Sequence, residues 1–390
     1  MKPIYIVDAV RTPVGRYRGS LSSVRADHLA AHLLNNIVEK NGLSAEQIDD
    51  VILGCVTQVG EQSANIARTA LLSAGWPVSV PGLTIDRKCG SGEVAIQLAA
   101  GQIATGSANL VVAGGAENMS RVRMGGNRDV HGEPFGWLVE QRYELVGQGE
   151  AAERVAERWA ISRTDLDEFA VRSHSRAAAA QQQGLFAQEI CPLPVATLRE
   201  QSWGEPTPDE LVADETIRPT SNVEKLATLA PSFRADGRIT AGNSSQISDG
   251  AALLLLASGE ACDLHGLKPR ARIVAHTTVG SDPTLMLTGP IAATQKVLAA
   301  AGLSVQEVDL FEVNEAFASV PLAWQQELQV SDDKLNVNGG AIALGHPLGA
   351  SGARIMTSML HELERRGGRY ALQTICCSGG MGTATLIERL

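Results

Sequence analysis

The sequence repeats LSAEQIDDVIL, residues 43–53, in altered form as LSVQEVDLFEV, residues 303–313. The two copies are 260 residues apart. Gly-Ser-Gly at 90–92 and Ala-Ser-Gly at 350–352 are separated by the same 260 residues. Two distant pairs with one common spacing indicate an internal duplication, so we expect a fold of two similar halves.

Both predicted halves begin with a similar apolar strand, and each contains a later buried strand. The opening strands are IYIVDA from Ile4 and ARIVAH from Ala271, and the later strands are LVVAGG from Leu110 and ALQTICC from Ala371. Short apolar runs alternate with helical patterns, which is typical of βαβ units whose parallel sheets are covered on both faces. The pattern predicts an α/β fold. Predicted helices include Ala26–Asn41, Ser91–Ala104 and Ser351–Arg366.

The middle of the chain, from about Ser120 to Gly242, has a different composition. It is richer in Arg, Gln, Glu and Pro, and its pattern predicts two helices, Glu150–Ala160 and Ser162–Gly184. We interpret this segment as an insertion packed on one half. The strand-like AALLLLAS, Ala251–Ser258, is predicted to return to the first half's sheet before the second half begins near Leu267.

The composition limits the class of protein. With 390 residues, of which 44% are hydrophobic and 19% charged, the chain fits a globular protein of two or three domains. Its net charge of −10 disfavours nucleic acid or an acidic membrane as a partner. The longest apolar run, Ala251–Ala257, is too short to cross a bilayer. We therefore expect no membrane span and no nucleic-acid partner.

The cysteines and the N-terminal segment indicate a reducing compartment. Six cysteines in 390 residues form no disulfide framework, and no Cys or His cluster has the spacing of a metal site. The segment MKPIYIVDAVRTP is typical of a strand with a charged continuation rather than a secretion signal. We therefore expect a cytoplasmic protein with no bound metal.

Cys89 follows the apolar segment PGLTID and precedes Gly-Ser-Gly and a helical pattern. This order predicts a strand-to-helix turn. The N–H groups and the positive dipole end of a helix N-terminus favour a thiolate, so we expect the pKa of this thiol to be lowered. Cys89 is therefore a candidate nucleophile, and the alternative is an inert buried cysteine.

Three more residues are candidates for chemistry. His346 lies in the glycine-rich run NGGAIALGHPLGASG, where glycines allow close approach of a ligand or another loop. Asn314 ends a predicted strand, although a helix N-cap would explain it equally well. Cys376 precedes Cys-Ser-Gly-Gly, a turn able to offer N–H groups to an oxyanion, but a core cysteine is an equal alternative. By the duplication, Cys89 and His346 occupy equivalent loops that a pseudo-two-fold arrangement would bring to one site.

Seven motifs spread along the chain resemble those of the thiolase family. They are VDAVRTPVGR (7–16), DRKCGSG (86–92), VVAGGAENMS (111–120), TAGNSSQISDGAA (240–252), NEAFA (314–318), VNGGAIALGHPLGASGAR (337–354) and TICCSGGMG (374–382). The resemblance implies a duplicated thiolase fold with a five-layered αβαβα core and an inserted loop domain. The implied division is 1–119 with 243–266 for the N-terminal half, 120–242 for the loop domain that binds CoA, and 267–390 for the C-terminal half.

The resemblance also implies a role for each candidate. Cys89 is the nucleophile that becomes acylated, His346 activates it and helps to bind the thioester oxygen, and Cys376 is the general acid/base. Asn314 holds a water of one oxyanion hole, and the backbone N–H groups of Cys89 and Ser378 form the second. The residues implied to contact CoA or substrate are Arg218, Phe233, Ser245, Met286 and Phe317. Coenzyme A is then a substrate, with no permanently bound cofactor.

Several positions depart from the family pattern. Ser378 stands where family members usually carry Gly, and Met381 stands where they often carry Gln. Cys377 beside Cys376 is also atypical and is a possible redox liability. If position 378 requires a positive φ, its loop will shift. Leu287 stands where Gly is common, and the stretch LVGQGEAAERVA lacks the histidine of short-chain biosynthetic members. These differences favour a degradative thiolase for longer, branched or bulky acyl chains, and GCVTQVGEQSANIAR and EAAERVA look similar to members acting on steroid side chains.

The predicted activity is cleavage of 3-oxoacyl-CoA by CoA to acetyl-CoA and a shortened acyl-CoA. The alternatives are a short-chain acetoacetyl-CoA thiolase, a decarboxylating condensing enzyme of the same superfamily, and a catalytically impaired acyl-CoA-binding protein. The condensing enzymes typically use one cysteine with two histidines, so Cys376 argues against that alternative. The family resemblance further implies a homodimer or homotetramer and allows association with a hydratase/dehydrogenase.

Overall fold

The computed structural model describes residues 2–128, 131–199 and 208–390. Residues 129–130 and 200–207 of the predicted insertion lie outside the described residues. The strands are β1 (Ile4–Arg11), β2 (Gly15–Arg16), β3 (Asp50–Gly54), β4 (Gly82–Ile85), β5 (Leu110–Asn118), β6 (Ser248–Ser258), β7 (Ala271–Gly280), β8 (Leu310–Val313), β9 (Tyr370–Cys377) and β10 (Met381–Arg389).

Most strands are followed by a helix, and helices follow one another both in the insertion and between β8 and β9. The helices are α1 (Ala26–Lys40), α2 (Ile66–Ser73), α3 (Ser91–Thr105), α4 (Trp137–Glu140), α5 (Gln148–Arg158), α6 (Arg163–Gln182), α7 (Val195–Leu198), α8 (Val223–Ala227), α9 (Gly259–His265), α10 (Gly289–Ala301), α11 (Ser319–Leu328), α12 (Ala341–Leu344) and α13 (Ser351–Arg366). The helices predicted at 26–41, 91–104 and 351–366 correspond to α1, α3 and α13, each within one residue of its predicted ends.

The strand order repeats about the junction of the two halves. In the described part of the chain the strands form one sheet in the order β4-β3-β5-β6-β1-β7-β10-β9-β8, with β2 paired to β6. Strands β3, β5, β6 and β1 of the first half therefore mirror β8, β9, β10 and β7 of the second. The halves join where β1 pairs with β7, through Tyr5–Arg272 and Ile6–Ala271. The predicted duplication is confirmed.

Each half-sheet contains an antiparallel strand, which corrects the prediction of parallel sheets. β6 is antiparallel to β5 and β1, and β10 is antiparallel to β9 and β7. The cause is the short connection from Cys377 to Met381, which forces β10 to fold back beside β9 as a hairpin. In the first half the insertion occupies the equivalent place between β5 and β6, so β6 has the same reversed direction.

The repeated sequence is explained by repeated local bonds. Ser44 and Gln47 form a reciprocal capping box at a short 3-10 turn before β3, and Ser304 and Glu307 form the same box before β8. In the first copy the carboxylate of Asp49 accepts the N–H groups at the start of β5. The Asp309 carboxylate does the same at the start of β9. The motif therefore sets the entry of two neighbouring strands in each half.

The layers are built around α3 and α13, which lie between the two half-sheets. Their apolar side chains share one core cluster with β1, β6 and β7, which includes Ile6, Leu256 and Ile273. Helices α1 and α2 cover the outer face of the first half, and α10 and α11 cover that of the second. The resulting order is α–β–α–β–α, as predicted.

The insertion contacts both halves, whereas the sequence predicted that it packs on only one of them. Its helices α5 and α6 pack against α11 and α12 of the second half. A buried ion-pair cluster attaches it to the first half, where Arg11 donates to Glu189 at 2.7 Å and to Asp214 at 2.7 Å. The division into 1–119 with 243–266, 120–242 and 267–390 stays a prediction. Within the described ranges, no helix is long and apolar enough to cross a membrane.

The shared central layer predicts where truncation is most costly. Leu256 is fully buried against α3 and α13, so Leu256→Ala should lower the free energy of unfolding by about 2–5 kcal/mol. Leu264→Ala is the matched control, because Leu264 is 77% exposed and should cost almost nothing. The midpoint of urea unfolding measures both. Equal losses would contradict a core shared by the two half-sheets.

Candidate active site

Cys89 lies on a strained turn just before α3. Ser91 ties this turn together, since its hydroxyl accepts the N–H of Arg87 at 2.8 Å and donates to the carbonyl of Lys88 at 2.6 Å. Lys88 has a φ of +51°, a left-handed conformation that side chains other than glycine rarely adopt. The turn therefore holds Cys89 in one orientation ahead of the helix N-terminus.

Burial, rather than the helix, determines the protonation of Cys89. The side chain is 4% exposed and lies in an apolar cluster with Val56, Met119 and Leu348. Desolvation raises the pKa of Cys89 to about 12, although its own backbone N–H and the nearby Lys88 lower it. The predicted lowering of this pKa is therefore wrong for the ligand-free protein. A neighbouring base must take the proton before the sulfur can act as a nucleophile.

His346 is held as a neutral base. The Ser351 hydroxyl donates to the carbonyl of Pro347 at 2.8 Å, so its oxygen is left to accept from His346 Nδ1 at 2.6 Å. This assigns the proton to Nδ1 and leaves the lone pair on Nε2. Burial and, to a smaller extent, the charge of Arg354 together lower the pKa of His346 to about 3. The imidazole is consequently uncharged at neutral pH.

Asn314 lies beside His346 at the end of β8. Its backbone N–H binds the carbonyl of Thr374 on β9, and its Nδ2 lies 3.4 Å from His346 Nε2. Its Oδ1 is buried and has no hydrogen-bond partner among the described residues. Buried polar atoms in native proteins are nearly always paired with protein or water. The predicted water-holding role is compatible with this geometry and stays a prediction.

The two predicted catalytic thiols are electrostatic neighbours. Cys376 is buried on β9, and its pKa is raised first by desolvation and then by the charge of Cys89. A thiolate on one of them therefore disfavours a thiolate on the other. Leu348, two residues after His346, and Ile375, next to Cys376, both pack in the apolar cluster of Cys89. With Asn314 Nδ2 at 3.4 Å from His346 Nε2, the four candidates from four separate segments are gathered in one region.

Cys377 faces the opposite side of β9 from Cys376, because successive residues of a strand alternate. It is fully buried, and a Cβ placed on Gly90 would lie 2.6 Å from its sulfur. Cys377 therefore packs beneath the turn that carries Cys89, and its burial works against the predicted redox liability. A larger residue at position 90 would have to displace this sulfur.

Ser378 does not need the backbone freedom of glycine. The positive φ angles of this loop belong to Gly379 and Gly380, at +92° and +76°, and Ser378 is outside the left-handed region. The loop is therefore not displaced by the side chain, and the Ser378 hydroxyl donates to the sulfur of Met286 at 3.7 Å. The predicted shift of the loop by Ser378 is therefore wrong.

Glu117 joins the two halves at the site and was not among the residues predicted from the sequence. This buried carboxylate at the end of β5 accepts the N–H groups of Val56 at 2.8 Å, Thr57 at 3.0 Å and Gly349 at 2.9 Å. Burial raises its pKa. A carboxylate at the end of a buried apolar strand, inside VVAGGAENMS, was the available signal. Glu117 thus positions the loop that carries His346 against the first half.

A cavity of about 530 Å³ opens onto Cys89. Ser378, Met286, Phe233 and Phe317 all line it. The two phenylalanine rings meet edge to face with centroids 5.9 Å apart. The cavity therefore gathers most of the residues predicted to contact substrate.

The other two predicted contacts lie outside the lining. Arg218 donates to the side chain of Gln246 at 3.2 Å, and the Ser245 N–H binds the carbonyl of Ala316 at 3.0 Å. Both stand next to Gln246, whose carbonyl accepts the N–H of His346. Their predicted contact with CoA stays a prediction. Among the described residues no group of three or more His, Cys, Asp or Glu could hold a metal ion.

The raised pKa of Cys89 predicts how it is alkylated. In the ligand-free protein the rate of Cys89 labelling by iodoacetamide should increase with pH up to about pH 9 without a plateau, because the thiolate fraction is small throughout. Peptide mass spectrometry measures the rate at this residue. A plateau below neutral pH would instead mean that Cys89 and His346 rest as a thiolate–imidazolium pair.

Comparison with known proteins agrees with this arrangement. Residues 4–260 match the thiolase N-terminal domain, and residues 267–389 match the thiolase C-terminal domain. The chain is 47% identical over 407 aligned residues to the 3-oxoadipyl-CoA/3-oxo-5,6-dehydrosuberyl-CoA thiolase of Escherichia coli (strain K12), covering 100% of both chains. It is 44% identical to the steroid 3-ketoacyl-CoA thiolase FadA6 of Mycobacterium tuberculosis, covering 100% of this chain and 95% of the relative.

A solved structure has the same fold. The acetyl-CoA acetyltransferase of Bacillus anthracis superposes with a TM-score of 0.89 at 41% identity, covering 100% of this chain and 99% of that one. Both halves of the chain thus match one family over nearly their whole length. The chain belongs to the thiolase family, whose members are CoA-dependent acyltransferases.

Proposed function

We propose that this chain is a degradative thiolase that cleaves 3-oxoacyl-CoA with CoA to acetyl-CoA and a shortened acyl-CoA. The observation that carries the proposal is the pair of buried thiols, Cys89 and Cys376, in one region with the neutral imidazole of His346. The two thiols come from different halves of the duplicated chain. One nucleophile and a separate acid/base are what two-step acyl transfer needs.

In the proposed first step, Nε2 of His346 takes the proton of Cys89. The Cys89 sulfur then attacks C3 of the substrate, the C2–C3 bond breaks, and Cys376 donates its proton to C2 of the departing acetyl-CoA enolate. The raised pKa of Cys376 suits this role, because the sulfur holds its proton until the enolate forms. The products of the step are acetyl-CoA and an acyl-Cys89 thioester.

In the proposed second step, the Cys376 thiolate takes the proton of CoA. The CoA sulfur attacks the acyl carbon, and Cys89 leaves and recovers its proton from His346. The backbone N–H groups of Cys89 and Ser378 would stabilise the oxyanion of this tetrahedral intermediate, and His346 with a water on Asn314 would stabilise the enolate. The unpartnered Oδ1 of Asn314 supports the latter assignment.

The insertion supports a substrate larger than acetoacetyl-CoA. At the start of α5, Gly149 lies under the ring of Phe233, and a Cβ on Gly149 would come within 2.2 Å of that ring. No histidine stands in this stretch. Relatives named for 3-oxoadipyl-CoA and for steroid 3-ketoacyl-CoA point the same way. We therefore propose longer, branched or bulky acyl chains as the preferred substrates.

A short-chain acetoacetyl-CoA thiolase is the second candidate. The structural similarity to an acetyl-CoA acetyltransferase favours it. An impaired acyl-CoA-binding protein is disfavoured, because the loop of Ser378 keeps its two glycine conformations and lines the cavity. The homodimeric or homotetrameric state, the association with a hydratase/dehydrogenase and the cytoplasmic location remain parts of the proposal.

The proposed roles predict large losses of thiolysis. Cys89→Ala should abolish turnover, since no acyl-enzyme can form, and Cys376→Ala should slow it by several orders of magnitude, since protonation of the enolate is lost. The measurement is CoA-dependent loss of 3-oxoacyl-CoA absorbance. Cys262→Ala is the matched control, because Cys262 lies on α9 in the outer core of the first half. Near-normal rates in either catalytic variant would refute the roles.

The proposed substrate class predicts the order of rates across a series of 3-oxoacyl-CoAs. The value of kcat/KM should be higher for medium-chain, branched and steroid-linked substrates than for acetoacetyl-CoA, because the cavity wall is mostly apolar and each buried CH₂ contributes about 0.8 kcal/mol. A preference for acetoacetyl-CoA would establish the short-chain alternative. Absence of cleavage with every substrate, in a protein that binds acyl-CoA, would establish the binding-protein alternative.

A further inference from the structure

We propose that the cavity accepts an acyl chain that ends in a carboxylate, which Arg128 and Lys88 hold at the end away from CoA. This inference rests on the proposed thiolase function and names its substrate class. Both cations line the cavity that opens onto Cys89. These two positive charges line the cavity of a chain whose net charge is −10.

Arg128 belongs to a turn that is attached to the nucleophile's side of the cavity. Its backbone N–H binds the carbonyl of Gly125 at 2.8 Å, which closes the turn. The neighbouring Asn127 donates to the carbonyl of Val56 at 3.4 Å, and Val56 shares an apolar cluster with Cys89. The turn is therefore attached to the apolar cluster around Cys89, and Arg128 lines the same cavity as this cysteine.

The guanidinium of Arg128 is available to a ligand. Its side chain is exposed, and across the described ranges it forms no ion pair. An arginine fork matches the two oxygens of a carboxylate in a bidentate pair. A substrate carboxylate that reached it would gain a hydrogen-bonded partner without breaking an existing ion pair of the described protein.

Lys88 supplies a second cation directly beside the nucleophile. Its ammonium binds Asp86 at 2.5 Å, and its side chain is 30% exposed. An ammonium has three N–H donors, and this contact uses one of them. Lys88 can therefore add a donor to a bound anion while it remains paired with Asp86.

The acidic residue in the cavity wall does not cancel these charges. Glu150 is bound by Arg234 and by Arg154, and these contacts lower its pKa to about 2. It is thus already compensated by two arginines of its own. The remaining wall near Cys89 is apolar, with Val56, Met124 and Leu348, which suits the methylene groups of an acyl chain. An aliphatic chain with a terminal anion fits both features.

The test uses two substrates that differ only at the chain end. 3-Oxoadipyl-CoA and 3-oxohexanoyl-CoA both carry six-carbon acyl groups, and they end in a carboxylate and a methyl group respectively. We expect the wild-type kcat/KM to favour the carboxylate by roughly tenfold, and Arg128→Leu to lower this ratio by about the same factor, the size expected for a hydrogen bond to a charged group.

The matched control is Arg142→Leu, which removes an exposed arginine of the same insertion that does not line the cavity. Its ratio should equal that of the wild type. Arg128→Lys should keep part of the preference, because it keeps the charge but loses the fork. Thermal midpoints of all variants confirm that they are folded.

Three outcomes would overturn the inference, and each has a distinct meaning. An equal fall in kcat/KM for both substrates in Arg128→Leu would assign the guanidinium to the phosphates of CoA, the other anions it could meet. A wild-type ratio near one, with both substrates cleaved, would refute the carboxylate and leave the thiolase function intact. If folded wild type cleaves neither these two substrates nor any other 3-oxoacyl-CoA, the proposed function fails first.

Discussion

The site depends on a direct backbone contact between glycines of the two halves. Gly349, on the loop of His346, lies against Gly54, Gly92 and Gly115 of the first half. A Cβ on Gly115 would be 2.0 Å from the carbonyl oxygen of Gly349, and a Cβ on Gly92 would be 2.7 Å from it. Any larger residue would separate the halves. Because α3 and α13 begin at this contact, the glycines set how closely the loops of Cys89 and His346 approach.

Close approach also removes water, and this decides the electrostatics. Burial raises the pKa of the Cys89 thiol and lowers that of the His346 imidazole, so both resting groups are uncharged. Glu117 is tolerated in the same region because three backbone N–H groups pair with it. The buried carboxylate therefore holds the loops together, while the Cys89 thiol and the His346 imidazole remain uncharged.

The insertion supplies what the duplication lacks, namely a wall for the cavity. It occupies the place between β5 and β6 that a tight hairpin turn fills between β9 and β10. The two halves therefore have the same framework, and only one carries the segment that contributes Gly149, Phe233 and Arg128 to the cavity. The proposed chemistry belongs to residues of the repeated halves, whereas the proposed choice of acyl chain belongs to the insertion. The buried pairing of Arg11 with Glu189 and Asp214 fixes this segment to the first half.

The sequence by itself determined the duplication and the ends of α1, α3 and α13, because each is carried by a local pattern. Its motifs also named four candidate catalytic residues, whose roles stay a prediction. It did not determine the reversed direction of β6, which follows from strand pairing across the inserted segment. The pKa of Cys89 was expected to fall and instead rises, since desolvation depends on every neighbour brought in by both halves. The tertiary structure alone decided that Glu117 joins the loops and that Arg218 and Ser245 stand outside the cavity. These properties arise from contacts between residues far apart in the chain, which no local spacing encodes.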